Sequence, residues 1–235
     1  MTQAQRHEGL PLLALEFVVF PLTALELTLE GRHARSAAAA LAANGMAFVV
    51  FSSAALAVHT VEGRLGTLVS ITAAPGDVPQ GALRVRINSL NRGRVTEISS
   101  LSPDVRCTVQ SEPETPSDLE PFRAALLERA AKRFPDRIGY LRLLTDAEAT
   151  LNTVTSWLGF SGDEQYALLG LPLRDRASSV LGAEWGSATG QAMSFRFRLL
   201  AAKHWLLNPA RWWLWTVFSI SLAIGLLIAL WNSLD

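Results

Sequence analysis

Leu10–Pro21, LPLLALEFVVFP, decides how the rest of the chain is read. Its first part, Leu10 to Leu15, is an apolar run of strand length, and Glu16 interrupts the apolar character before Phe17 to Phe20 restores it. With that charge inside it the segment is too short for a signal peptide with a cleavage site, and Met1 to Gly9 ahead of it is polar. No secretory signal is expected, and Leu10 to Leu15 is taken as the first strand of a β domain.

Similar short runs follow, separated by Gly, Pro, Asn and Asp. Strands are predicted over Leu22 to Leu29, Ala47 to Ser52, Gly66 to Thr72, Ala82 to Ser89, Arg94 to Ser99 and Val105 to Gln110. That many short strands in so little chain predict a small barrel or sandwich. Inside it, Arg32 to Ala43 has the alanine-rich composition of a helix, stopped by Asn44-Gly45. Leu83 to Ile87 alternates apolar and basic residues, which predicts one buried face and one wet face.

After the polar, proline-bearing link Ser111 to Pro116 the pattern becomes helical. Ser117 with Glu120 predicts a capping box for a helix reaching Pro135, and short capped helices are expected over Asp146 to Leu158, Ser161 to Leu169 and Leu171 to Leu181. The chain divides on this reading into a β-barrel domain, 1–112, a helical subdomain, 113–190, a juxtamembrane segment, 191–210, and a transmembrane helix, 211–232.

The last of these rests on Trp212 to Trp231, twenty residues without a charge. As a helix it would extend roughly 30 Å, the thickness of a bilayer core. Arg211, Trp212, Trp213, Trp215 and Trp231 stand at its ends as membrane-interface anchors. Arg196, Arg198, Lys203 and Arg211 precede it, so the N-terminal bulk is expected in the cytoplasm, the chain being tail-anchored in the inner membrane by one pass. Ser221, Gly225 and Ala229 recur every four residues and predict a narrow packing face for another helix. Ser36 to Val58 is also charge-free, but the turn signal Asn44-Gly45 divides it into soluble elements.

Composition excludes several classes of function. Twenty-one basic residues balance twenty-one acidic ones, so no global field attracts nucleic acid. The single Cys107 suits a reducing compartment. The preponderance of Arg over Lys and the abundance of Ala suit a bacterial source. There is no phosphate-binding loop, no Gly-x-Ser-x-Gly and no His-Glu-x-x-His, and the four histidines are scattered singly. No catalytic, cofactor-binding or metal-binding residues are therefore assigned. Asp146, Glu148, Asp163 and Glu164 are read as helix-start carboxylates, and Arg84 and Arg86 as solvated or paired with nearby carboxylates.

Leu10-Pro11-Leu12, then Val18-Val19-Phe20-Pro21, resembles the opening of the Lon protease N-terminal domain family. Further matches come in the family's order: Leu25 and Leu27, Gly31-Arg32, Phe48 to Phe51, Gly66-Thr67-Leu68 before Ile71, and Ile87 to Val95 with Arg92. Glu164 to Leu169 followed by Arg174 to Leu181 is similar to the family's helical part. Pro11, Pro21, Gly66 and Arg92 are the family-motif positions. Ser89 stands where the family usually has glycine, and Glu26 where it usually has proline. The resemblance implies an α+β fold, a PUA-like β pseudo-barrel followed by a small helical bundle, that binds proteins or unfolded segments. It does not imply proteolysis, because the family's ATPase and Ser-Lys protease modules are not in this sequence.

The expected function is thus a non-catalytic, membrane-tethered protein-recognition module on the cytoplasmic face. The alternative is a structural accessory subunit of a larger membrane complex, photosynthetic or respiratory. The lipid bilayer and a protein are the expected partners, and nucleic acid is not.

Overall fold

The computed structural model describes residues 5–52, 61–100, 105–112, 114, 119–183 and 185. Strands β1 (Arg6–Leu15), β2 (Ala24–Leu29), β3 (Met46–Phe51), β4 (Leu65–Ala73), β5 (Leu83–Ser100) and β6 (Arg106–Ser111) form one mixed sheet, ordered β2-β5-β4-β3-β1-β6. An additional β5–β6 pairing closes β5, β4, β3, β1 and β6 into a barrel and leaves β2 outside it, hydrogen-bonded to the first part of β5. β1 and β3 are parallel, with Leu12 opposite Phe48 and Leu15 opposite Phe51. A parallel pair needs a crossover, supplied here by β2 and α1 (Gly31–Ala43).

Period-two alternation sends neighbouring residues to two buried clusters. Leu12, Phe48, Val50, Leu68, Val95, Cys107 and Val109 form one. Leu13, Leu15, Ala47, Val49, Val69, Ile71, Val85 and Ile87 form the other, together with Ala34, Ala37 and Ala40 of α1. Both faces of β1 and β3 are therefore covered, which is why they read as unbroken apolar runs. The alanines of α1 recur every three residues on one face, and their small side chains let the helix lie close to the sheet. Asn44 and Gly45 end it as expected, both amides bonding to the Ala40 carbonyl and Gly45 adopting φ 73°.

The two strands expected over Ala82 to Ser89 and Arg94 to Ser99 are one continuous strand, β5, of 18 residues. Gly93 does not end it but marks a close approach. It stands opposite Gly66 of β4, and the pair makes a niche for the Phe48 ring. A Cβ on Gly66 would come within 2.7 Å of Phe48 Cε1 and collide with the Val49 carbonyl; one on Gly93 would lie 2.8 Å from Val109 Cγ1 and 3.3 Å from Phe48 Cε2. Neither glycine has positive φ, so space and not backbone freedom demands it.

Helices α2 (Glu120–Arg133), α3 (Ile138–Leu143), α4 (Ala147–Trp157), α5 (Gly162–Gly170) and α6 (Leu173–Gly182) follow. The N-cap of α2 is Leu119, with Pro121 in the first turn, so the box read from Ser117 and Glu120 does not cap it; Ser117 itself lies outside the described residues. Asp146 caps α4 by accepting from the Ala149 amide, and Ser161 with Glu164 forms a full capping box on α5. The short α3, preceded by the 3-10 turn Pro135–Arg137, was not anticipated. Among the described residues no helix is long and apolar enough to cross a membrane, and the run 212–231 lies outside them.

Replacing Gly66 by Ala is expected to lower stability by about 1–3 kcal/mol, because neither a strand carbonyl nor the Phe48 ring can yield freely. Gly139→Ala in α3, where an added Cβ meets nothing within 4 Å, is the matched control and should be neutral or mildly stabilising. Denaturant midpoints of the two variants check both expectations.

Candidate functional site

The most constrained polar cluster joins the helices to the barrel. Arg176 lies on the apolar face of α6 between Leu173, Ala177 and Val180, with no exposed surface. All three of its guanidinium nitrogens donate: Nε to the Leu168 carbonyl (3.0 Å), Nη1 to Asn152 Oδ1 (2.7 Å), and Nη2, shared among three acceptors, to Glu114 Oε1 (2.6 Å) and the Leu169 and Leu171 carbonyls (3.2 and 3.1 Å). Arg92, on β5, reaches the same turn, its Nη1 donating to Leu169 and Leu171 at 2.9 and 3.3 Å. Two arginines thus collect the carbonyls that end α5, and Glu114 sits between them, 3.6 Å from Arg92 Nη1. A charge this deeply buried is tolerated only when paired and fully hydrogen-bonded.

The same helices fasten the β1–β2 connection. Asn152 Nδ2 donates to the Pro21 carbonyl (2.9 Å), and the Val18 amide donates to Gln165 Oε1 (3.3 Å). The Leu65 amide donates to the Tyr166 hydroxyl (3.2 Å). From the barrel side, Ser89 Oγ accepts from the Thr23 amide and lies 2.7 Å from the carbonyls of Phe20 and Thr23. This network holds the Phe20–Thr23 turn, in which Leu22 takes the left-handed conformation, φ 57°, that non-glycine residues rarely adopt. Ser89, expected at the end of a strand, lies inside β5 and acts as a buried clamp.

Glu148 stands in the first turn of α4, as its reading as a helix-start carboxylate expects, but it is also shifted by its surroundings. Burial pushes its pKa up to about 7, and neighbouring Glu114 pushes the same way, against Arg176; Asp146 raises it further and Arg92 opposes. The Cys107 thiol, buried in the barrel cluster, is pushed up to about 12 by desolvation, so it stays protonated and unreactive. Among the described residues no group of three or more His, Cys, Asp or Glu could hold a metal ion.

The accessible surface near β2 is of another kind. β2 hydrogen-bonds to β5 on one side and has no strand on the other among the described residues. Glu26, opposite Arg86 on β5, binds Arg86 Nε at 3.1 Å and Arg84 Nη2 at 3.3 Å, and these bonds hold its carboxyl below the usual range. The carboxylate is drawn across β5 and away from the open edge. At the C-terminal end of β2 lies a cleft of about 770 Å³, walled by Gly31, Ala34, Arg35 and Ala38 of α1 and by residues 79–83 across from them.

Of the positions singled out in the sequence, Pro11 is buried in β1, and Pro21 is buried with its carbonyl bound by Asn152. Gly66 makes the Phe48 niche, and Arg92 belongs to the α5–α6 cluster. Arg211, Trp212, Trp213, Trp215, Ser221, Gly225, Ala229 and Trp231 lie outside the described residues. Sequence reading does not single out Arg176 or Glu114; the signal for Arg176 is an arginine placed among Leu173, Ala177 and Val180 on the apolar stripe of α6, whereas Arg174 beside it is exposed.

No family model matches the chain, and no curated protein does. Solved structures do. The N-terminal domain of Mycobacterium avium complex Lon protease superposes with a TM-score of 0.58 at 16% identity, over 75% of this chain and 97% of that one. A Lon N-terminal domain protein from Xanthomonas campestris gives 0.54 at 20% identity, over 74% and 97%. The chain has the Lon N-terminal domain fold, as the ordered motif matches implied.

Arg176→Met should cost about 3–5 kcal/mol in denaturant unfolding, since it takes the 2.6 Å partner from the buried Glu114 carboxylate and the donor from Asn152 Oδ1, while Arg92 still serves the Leu169 and Leu171 carbonyls. Glu114→Gln in that background should recover part of the loss. A carboxyl whose folded pKa is raised contributes stability present below its unfolded pKa and lost as pH rises through the folded value. Wild type should therefore lose thermal stability from about pH 5 to pH 8 relative to Glu148→Gln, with the two melting temperatures converging at the acid end. Parallel curves across this range would contradict the assignment.

Proposed function

We propose that the chain is a non-catalytic module that recognises polypeptide at a membrane surface, receiving an extended segment along the open edge of β2 and into the cleft at its end. The observation that carries this is the topology, in which closure of β6 on β5 leaves β2, among the described residues, with no strand on its outer edge. An added strand gains main-chain hydrogen bonds without a fixed sequence, and the adjoining cleft supplies side-chain selectivity. The Glu26 carboxylate, held over β5, leaves that edge unguarded by charge. The Lon N-terminal domain fold supports the same reading by analogy.

Attachment to the cytoplasmic face is the second part of the proposal. It rests on the charge-free run Trp212 to Trp231 and the basic residues before it. A single apolar run limits reach and raises the local concentration of any membrane-bound partner. The Ser221, Gly225 and Ala229 spacing favours a second reading, in which the same chain is held as an accessory subunit by helix packing; the two differ in whether the partner is met at β2 or in the bilayer.

A photo-crosslinking residue at Ala38, an exposed position on the cleft wall, is expected to capture polypeptide in native membranes, whereas one at exposed Glu128 on α2 is not. Ala38→Arg, which fills the cleft without entering the core, should weaken capture at a neighbouring cleft position by about tenfold or more, the loss of about 1.4 kcal/mol. Adducts with lipid alone at position 38 would sink the recognition reading.

A further inference from the structure

The far end of the helical part carries a surface that neither the Arg176 cluster nor the β2 edge uses. Between Lys132 and Leu144 four basic residues stand against one acidic residue, Asp136, in a chain whose net charge is zero. Lys132 pairs with Glu128 at 2.8 Å. Arg133, Arg137 and Arg142 are exposed and make no ion pair among the described residues. Aromatic rings hold two of them: Arg137 lies 5.3 Å from the Trp157 ring centre and Arg133 lies 5.9 Å from that of Phe134. Trp157 in turn packs on Phe134 and Tyr140, at 5.8 and 6.2 Å between ring centres. Tyr140, in contact with Trp157, is 46% exposed and Leu143 79% exposed, the latter the most exposed of the large apolar side chains among the described residues.

We propose that this part of the helices, with exposed Leu143 and Tyr140 of α3 and the unpaired Arg133, Arg137 and Arg142 close to them in the chain, docks on an anionic lipid bilayer surface. A leucine 79% exposed is little covered by protein, so it forms no enclosing pocket for an extended peptide; it can enter a soft apolar phase. Arginines without carboxylate partners complement lipid phosphates, and an amphipathic tyrosine suits the headgroup level. Electrostatic attraction of this kind contributes roughly fivefold in affinity per basic side chain near an anionic surface, on the order of a hundredfold for three. The contact adds to the tether proposed from 212–231 and does not depend on it, because it is formed by described residues that lie elsewhere in the chain.

The test uses the full chain with Leu143→Cys carrying a polarity-sensitive dye, since buried Cys107 stays protonated and will not compete for label. The labelled chain is mixed with vesicles of phosphatidylcholine alone or of phosphatidylcholine with phosphatidylglycerol. A blue shift of the dye is expected with the anionic vesicles only. It should be abolished by Arg133→Glu/Arg137→Glu/Arg142→Glu and retained by the corresponding triple lysine variant, because a bilayer reads charge and not the guanidinium fork. A dye that reports water in both compositions, or equal shifts in both, would overturn the proposal. Flotation of the same samples separates the two ideas: binding of the triple glutamate variant to neutral vesicles reports the tether, whatever the dye shows.

Discussion

Burial of Arg176 with no exposed surface is the constraint on which the rest of the structure depends. A guanidinium has five N–H groups and no way to shed its charge, so everything around it must be arranged to accept. The end of α5 supplies three carbonyls, α4 supplies Asn152, and the link after β6 supplies Glu114. Each of these has a second commitment: Asn152 holds Pro21, and Arg92 of β5 shares the Leu169 and Leu171 carbonyls and approaches Glu114. Helices α4 to α6 thereby become a fixed wall of the barrel. The arrangement is costly to break and specific in geometry, which suits a platform that must present its surfaces without rearranging.

Two polar atoms of the cluster stand apart from its bonding: among the described residues Glu114 Oε2 and Arg92 Nε have no hydrogen-bond partner, although both residues make polar contacts through their other atoms. The nearby Glu148, pushed up to about 7, keeps a second negative charge from accumulating beside Glu114 under acid conditions and admits it under alkaline ones. The cluster therefore contributes most where Glu148 is protonated, and its electrostatics follow from burial first and from the carboxylate neighbour second.

Much of the barrel was legible because its signals are local. Leu10 to Leu15 and Phe48 to Phe51 read as buried strands from their apolar runs, and the alanine face of α1 with Asn44-Gly45 behind it read as a helix and its stop. The caps of α4 and α5 were equally plain. What was not legible depends on pairing over distance. Gly93 looked like punctuation between two strands until its position opposite Gly66, beneath Phe48, gave it a packing role. Ser89 reaches partners 66 residues away, so its hydroxyl could not be assigned from its neighbours. α3 has six residues and sits just after a proline, too short for periodicity to show. Arg176 was legible in principle, as a charge placed within an apolar stripe. The open edge of β2 and its cleft follow only once β6 is seen to close on β5.

On the proposed reading three tasks are separate: a buried joint fixes the fold, a strand edge and cleft receive an extended polypeptide, and a basic, aromatic group on α2, α3 and α4 meets lipid. Hydrogen exchange of the full chain, alone and with a polypeptide retained from native membranes, tests the central claim most directly. The account predicts slower exchange of the β2 amides and the first turns of α1 on binding, with α5 and α6 unchanged. Slowing confined to α2, α3 and α4, with β2 exchanging as before, would contradict it.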